Sequence, residues 1–349
     1  MSALAGPVLE GPNGLRPVPW QRMAWVTWRQ HRFAVAGMAL FLGGLATYLW
    51  IIGRRLHHAY AAAIACHSAS SVACVDAISE FNSLYRFFLG GYVLQPLPAL
   101  IGAFIGAPLL ARELETGTFR YAWTQGFGRW RWTLAKLILL ALVVVAAAAA
   151  MSVLFSWYYR PYFGAGNSAL ALRAWSPLDA YLFDLRGTAF AAWTLVAFAI
   201  GALAGALIRQ VVAALAATLA AYTALAIAVG MFLRQHYLAP LATTRLNLPS
   251  SAWIVGQWWT KDGTFAYAPW PPGDLAFRLC PPSVVGQGKS TSQFNAVIQC
   301  FNRHGYAFWH HYQPASRFWT FQAIESGWLL ALSALLVAAT VWVVQHRAA

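Results

Sequence analysis

Six windows of the sequence, 33–53, 87–110, 133–157, 187–208, 211–233 and 326–344, contain no Asp, Glu, His or Arg, and Lys136 near the start of the third is their one basic residue. A bilayer core of about 30 Å takes about 20 residues of helix to cross, so each window predicts a spanning helix. The runs are too long, and alternate too little, for barrel strands of about 9–11 residues. A large soluble helical core would need polar outer faces. This chain is 60% hydrophobic and 10% charged, against about 25% charged in soluble domains. The expected fold is all-α: a polytopic membrane protein with six transmembrane helices.

The formal net charge of +14 would point to nucleic acid in a soluble chain. Here the basic residues cluster at the ends of the windows, where they meet lipid head groups, so no nucleic-acid partner is expected. With the N-terminus inside, the inner segments carry eleven basic residues and the two short outer loops six. The last outer loop, 234–320, carries seven more, but loops beyond about 60 residues report orientation poorly. Both termini are therefore expected on the cytoplasmic side of the plasma membrane. Residues 1–19 lack the apolar centre of a cleavable signal, so the first span is expected to target the chain.

The four cysteines, Cys66, Cys74, Cys280 and Cys300, all fall in loops placed outside. Oxidising compartments favour disulfides, and proximity favours Cys66–Cys74 and Cys280–Cys300 among the three possible pairings. A metal site remains open, since His57, His58 and His67 crowd the first pair, although the spacing fits no ordinary zinc pattern.

Residues 1–32 are expected to form a cytoplasmic N-terminus that is irregular to residue 16. An interfacial helix follows over 17–32, opened by Pro19 and bearing Trp20, Trp25 and Trp28 with Arg22, Arg29 and Arg32. Residues 33–349 make up the transmembrane domain. Pro96, Pro98 and Pro108 predict that the second span is kinked or begins late. Gly102-x-x-x-Gly106 and Gly201-x-x-x-Gly205 allow close helix approach. Only Arg209 and Gln210 separate the fourth and fifth windows, which must form a tight hairpin. The loop at 234–320 has too many aromatic residues for disorder and predicts a disulfide-tied extracellular cap. Its tryptophans either fill the cap's own core or meet an apolar cargo.

The windows hold no charge of the kind that ion-coupled carriers keep at membrane depth. Nor does the chain hold a Gly-x-x-x-x-Gly-Lys-Ser/Thr phosphate loop, Gly-x-Ser-x-Gly or His-Glu-x-x-His. Neither ATP nor a metal is expected on this chain, and no catalytic residue. A compact polar segment follows the second window instead: Arg112, Glu113 and Glu115, then Gly117 and Thr118 as a turn, a short helix around Phe119–Trp123, and Arg129, Arg131 and Lys136 leading into the third span. It is either a solvated turn or a lever on which a cytosolic partner pushes.

Ala111–Leu137, with Arg-Glu-x-Glu-x-Gly-Thr followed by Gly-Arg-Trp-Arg-Trp-Thr-Leu-Ala-Lys-Leu, resembles the signature of ABC-2 type ATP-binding-cassette transporter permeases. The Ala- and Trp-rich composition is similar to that of actinobacterial drug and antibiotic exporter permeases. The resemblance implies a transmembrane subunit paired with a second copy or a paralogue and served by two cytosolic ATPase subunits that hold ATP and Mg. Residues 111–132 would be the coupling loop, with Arg112, Glu113, Glu115, Gly117, Thr118, Arg129 and Lys136 meeting the ATPase. The cargo would be a hydrophobic or amphiphilic drug, antibiotic, peptide or lipid. A secondary transporter or channel not coupled to ATP, and a membrane enzyme or scaffold acting through its outer cap, are the alternatives.

Overall fold

The computed structural model describes residues 20–66, 71–86, 94–117, 129–164, 176–246, 248–249, 251–268, 273–285 and 291–347. Among the described residues, six helices are long and apolar enough to cross a membrane. Span 1 is Trp20–Ile64, span 2 Leu97–Thr116, span 3 Arg129–Tyr158, span 4 Gly187–Ile208, span 5 Val211–His236 and span 6 Phe318–Arg347. The charge-free windows fall inside them, except that span 2 begins at Leu97 rather than 87. Pro96 stands at its N-cap and Pro98 in its first turn, where a missing N–H costs nothing.

The helix expected over 17–32 is continuous with the first span. No Pro or Gly falls between Trp20 and Phe33, and the helix runs unbroken from Trp20 to Ile64. Residues 20–32 thus join the span without a break, and residues 1–19 lie outside the described residues.

Pro108 lies within span 2, where it lacks the N–H that an α-helical ladder needs. The helix widens to a π-turn over Gly102–Gly106 just before it, with Ala107 N–H reaching Gly102 O. Such a turn absorbs the ladder defect without breaking the span.

The two Gly-x-x-x-Gly patterns meet each other. A Cβ on Gly102 would sit 2.4 Å from Ala197 O, and one on Gly201 would sit 2.5 Å from Gly102 O. Spans 2 and 4 therefore touch backbone to backbone, the close approach that small residues permit in lipid. These two spans are the most enclosed, while spans 1 and 5 present mostly unburied apolar flanks. Apolar surface that would be costly in water is the expected exterior of a spanning bundle.

Between spans 1 and 2 a helix at Val72–Arg86 packs back on span 1, its start tied to the end of span 1 by the Cys66–Cys74 disulfide. His57 stacks on Trp157 of span 3, ring centroids 4.7 Å apart, and its Nε2 meets Trp157 O at 2.9 Å.

Between spans 5 and 6 the all-α expectation is corrected. The chain there forms a four-stranded antiparallel sheet, order β1-β4-β2-β3, from Leu241–Thr243, Trp253–Lys261, Thr264–Tyr267 and Tyr306–Gln313. Aromatic and β-branched residues in β2 and β4 favour pleated strands, and in β4 Tyr306, Phe308 and His310 alternate onto the buried face. Trp259, Phe301, Tyr306 and Phe308 fill a core under the sheet, which the Cys280–Cys300 disulfide closes. Both cysteine pairs thus form disulfides rather than a metal site. The aromatic residues of the cap mostly pack on one another, and Trp253 rests edge-on against Phe321 of span 6.

Candidate functional site

At the end of the bundle opposite the sheet, span 2 finishes as Ala111-Arg-Glu-Leu-Glu-Thr. Gly117 closes it at φ 70°, a left-handed turn that costs glycine little. The two acids then grip different neighbours. Glu113 Oε1 accepts from Lys136 Nζ of span 3 at 2.5 Å, with the lysine 1% and the glutamate 15% exposed. Glu115 Oε2 accepts from Val211 N–H at 3.1 Å, capping the first turn of span 5. Span 2 is thus tied at one end both to span 3 and to the span 4–5 hairpin. In that hairpin Arg209 takes φ 60°, its N–H bonded to Gly205 O.

Of the residues predicted to couple to a motor, the structure brings Glu113 and Lys136 into one buried pair and leaves Arg112 and Glu115 exposed. Arg129 is the first residue of span 3. Thr118 and the expected short helix around Phe119–Trp123 lie outside the described residues.

At the sheet end stands a cluster that the charge-free windows hid. Arg234, in the last turn of span 5, is buried and aims Nε at Glu325 Oε2 (3.0 Å) and Nη2 at Glu325 Oε1 (2.7 Å). Nη2 also donates to Asp184 Oδ1, and the guanidinium lies over the Phe183 ring. Trp193 Nε1 donates to Glu325 Oε1 at 2.8 Å, and the Tyr237 hydroxyl donates to Oε2 at 3.1 Å. Burial raises the Asp184 carboxyl to about 7; Arg234 opposes the rise and Glu325 adds to it.

The same region clasps spans 4 and 6. Gln322 Oε1 accepts from Ala189 N–H at 2.7 Å at the start of span 4, and Thr188 and Ser326 share a hydroxyl contact of 2.8 Å. Beside this clasp, a cavity of about 550 Å³ opens between spans 3, 4 and 6. Arg186 stands at its mouth, its guanidinium 4.1 Å from the Phe163 ring and 5.1 Å from that of Phe318.

Residues 39–234 match the sequence profile of the ABC-2 membrane transporter related family, more than half of the chain. The chain belongs to that family. No curated protein and no solved structure matches it. This ABC-2 chain is accordingly the membrane component of an ABC transporter, not itself catalytic, and its family points to an ABC ATPase partner. The match spans the elbow at 111–117, both glycine patterns, the hairpin and Arg234; Glu325 and the sheet cap lie beyond it.

Proposed function

We propose that the chain is the permease of an exporter that moves a hydrophobic or amphiphilic molecule across the plasma membrane, powered by ATP hydrolysis in cytosolic ATPase subunits. Two permease subunits, identical or paralogous, complete the transporter, with termini and elbow on the cytoplasmic side and the sheet cap outside.

One observation carries this reading: the elbow's two acids tie span 2 to span 3 and to the start of span 5. A push on residues 111–132 would move three spans together instead of bending a loose loop. Among the described residues there, Arg112 and Glu115 are the exposed charged side chains, and they are the groups offered to the ATPase. The apolar interior suits cargo drawn from the membrane.

The test is reconstitution of the chain with the ATPase that co-purifies with it. ATP-dependent accumulation of an amphiphilic dye in inverted vesicles, lost when the ATPase is omitted, is the expected result. Purification without any nucleotide-hydrolysing companion would overturn it.

The cluster at Arg234 favours a second reading. Carriers use buried carboxylates that gain and lose protons near neutrality, and Asp184 is raised to about 7. Uptake driven by a pH gradient in vesicles without the ATPase would establish that reading. The family membership favours the first.

A further inference from the structure

Among the described residues Arg186 has no counter-ion. Its Nε and Nη1 are buried and donate to no described group, and no described carboxylate contributes to its environment. Two aromatic faces sandwich it, which orders the side chain without neutralising it. Arg186 is half-buried, and even a half-buried charge left unpaired is costly; the fully buried cations are paired, Lys136 with Glu113 and Arg234 with Glu325. The lone cation therefore marks a place where the partner is not part of the protein.

What surrounds it defines that partner. Arg186 is the N-cap residue of span 4, so the positive end of a 22-residue helix begins beside it. Thr188 and Ser156 add hydroxyls at the same mouth. Beyond them the cavity is apolar, walled by Val145, Ala191, Leu195 and Leu330 along about 16 Å of helix. Val153, Trp319 and Leu330 at its rim are exposed, so it opens sideways to the surroundings of the bundle. About 550 Å³ lies within the range of sites for small organic ligands.

We infer that this cavity binds one anionic amphiphile, its phosphate or carboxylate held by Arg186 and the start of span 4 and its apolar tail laid between spans 3, 4 and 6. The inference narrows the cargo class of the exporter reading and rests on that reading only for the step from binding to transport. Occupancy by a resident acidic lipid and occupancy by cargo in transit share the same chemistry.

Native mass spectrometry of the full chain in neutral detergent tests this. The probes are dodecyl phosphate, dodecanol and inorganic phosphate. Dodecyl phosphate is expected to bind at one saturable site, with the other two at least about tenfold weaker, because a charge-assisted contact is worth about a factor of ten or more. Arg186→Gln should remove that selectivity, Arg186→Lys should keep part of it, and Ala191→Phe, which fills the tail channel away from the guanidinium, should weaken both dodecyl compounds. Equal binding of dodecanol and dodecyl phosphate, or unchanged selectivity in Arg186→Gln, would overturn the proposal. Should Arg186→Gln fail to fold, unchanged binding in Ala191→Phe still overturns it. Displacement of the probe by equimolar phosphatidylglycerol identifies a resident lipid; resistance to displacement identifies cargo. Single-site binding together with a failure of ATP-driven transport would sink the exporter reading and leave the site standing.

Discussion

Arg234 and Glu325 lie 91 residues apart in sequence and meet in a two-point guanidinium–carboxylate contact of 3.0 and 2.7 Å, closing the sheet end of spans 5 and 6. With Asp184 on the same guanidinium, one cation faces two carboxylates. Removing the arginine leaves both acids buried together, so Arg234→Met should destabilise more than Glu325→Gln. Breaking a buried pair costs about 3–5 kcal/mol. Thermal unfolding of the purified variants orders them.

Asp184 makes stability depend on pH. Its carboxyl is raised by burial from 3.8 to about 7, so the folded chain holds a proton that the unfolded chain releases. The resulting stability is fully present below 3.8 and is lost as pH rises through about 7. The unfolding free energy, and the melting temperature with it, should therefore fall between pH 3.8 and about 7 and level off above, the free energy by at most about 1.4 kcal/mol per pH unit. In Asp184→Asn that decline should flatten. A wild-type melting temperature that climbs across this range would refute the assignment.

The pair at the other end of the bundle predicts an asymmetry. Lys136 is 1% exposed and Glu113 15%. Glu113→Gln strands the lysine in a dry site, whereas Lys136→Met strands a carboxylate with some access to water. The glutamate variant should be the less stable, and the double variant should recover part of the loss. A double-mutant cycle on unfolding free energies measures this, and additive single losses would deny the contact.

The sequence made the six spans legible because absence of charge over about 20 residues is a strong signal in itself. That same criterion hid the ionic cluster. A window closes at the first charged residue, so Arg234 fell just past the fifth window and Glu325 just before the sixth. A weak clue was present: Asp184, Arg234 and Glu325 all flank spans at the end bearing the cap, close in height and opposite in sign. The glycine patterns were visible, but which spans they join was not, since Gly-x-x-x-Gly names a surface and not its mate. The cysteine pairing followed from proximity. The sheet did not, because β2 and β4 pair across a 53-residue separation at Gln257 and His310, and nothing local announces the partner.

Close contact of spans 2 and 4 sets a steric test. A methyl group on Gly201 would lie 2.5 Å from Gly102 O and 2.8 Å from Ala107 N, both backbone atoms that cannot swing aside. Gly230 has nothing within 4 Å. Gly201→Ala should force the helices apart and cut the yield of monodisperse protein, and Gly201→Leu should abolish it. Gly230→Ala should behave as wild type.

Glu115 separates holding the fold from transmitting force. It is exposed and holds span 5 by a single contact to the Val211 N–H. Losing such a cap costs about 1 kcal/mol, which a bundle of six spans tolerates. Replacing it with lysine also sets a positive charge against the positive end of span 5 and reverses the sign offered to a partner. Glu113→Lys would place two cations in one buried site and should prevent folding. Glu115→Lys should instead yield folded protein in which the partner ATPase still hydrolyses ATP but transport falls by about tenfold or more. Glu115→Gln keeps an acceptor oxygen for Val211 and should preserve the melting temperature, so any transport defect it shows reports the lost charge at the partner's surface. Transport and hydrolysis measured on one reconstituted sample decide the matter: equal losses of both would mean that Glu115 serves only assembly, and no loss in the lysine variant would remove the elbow from the coupling path.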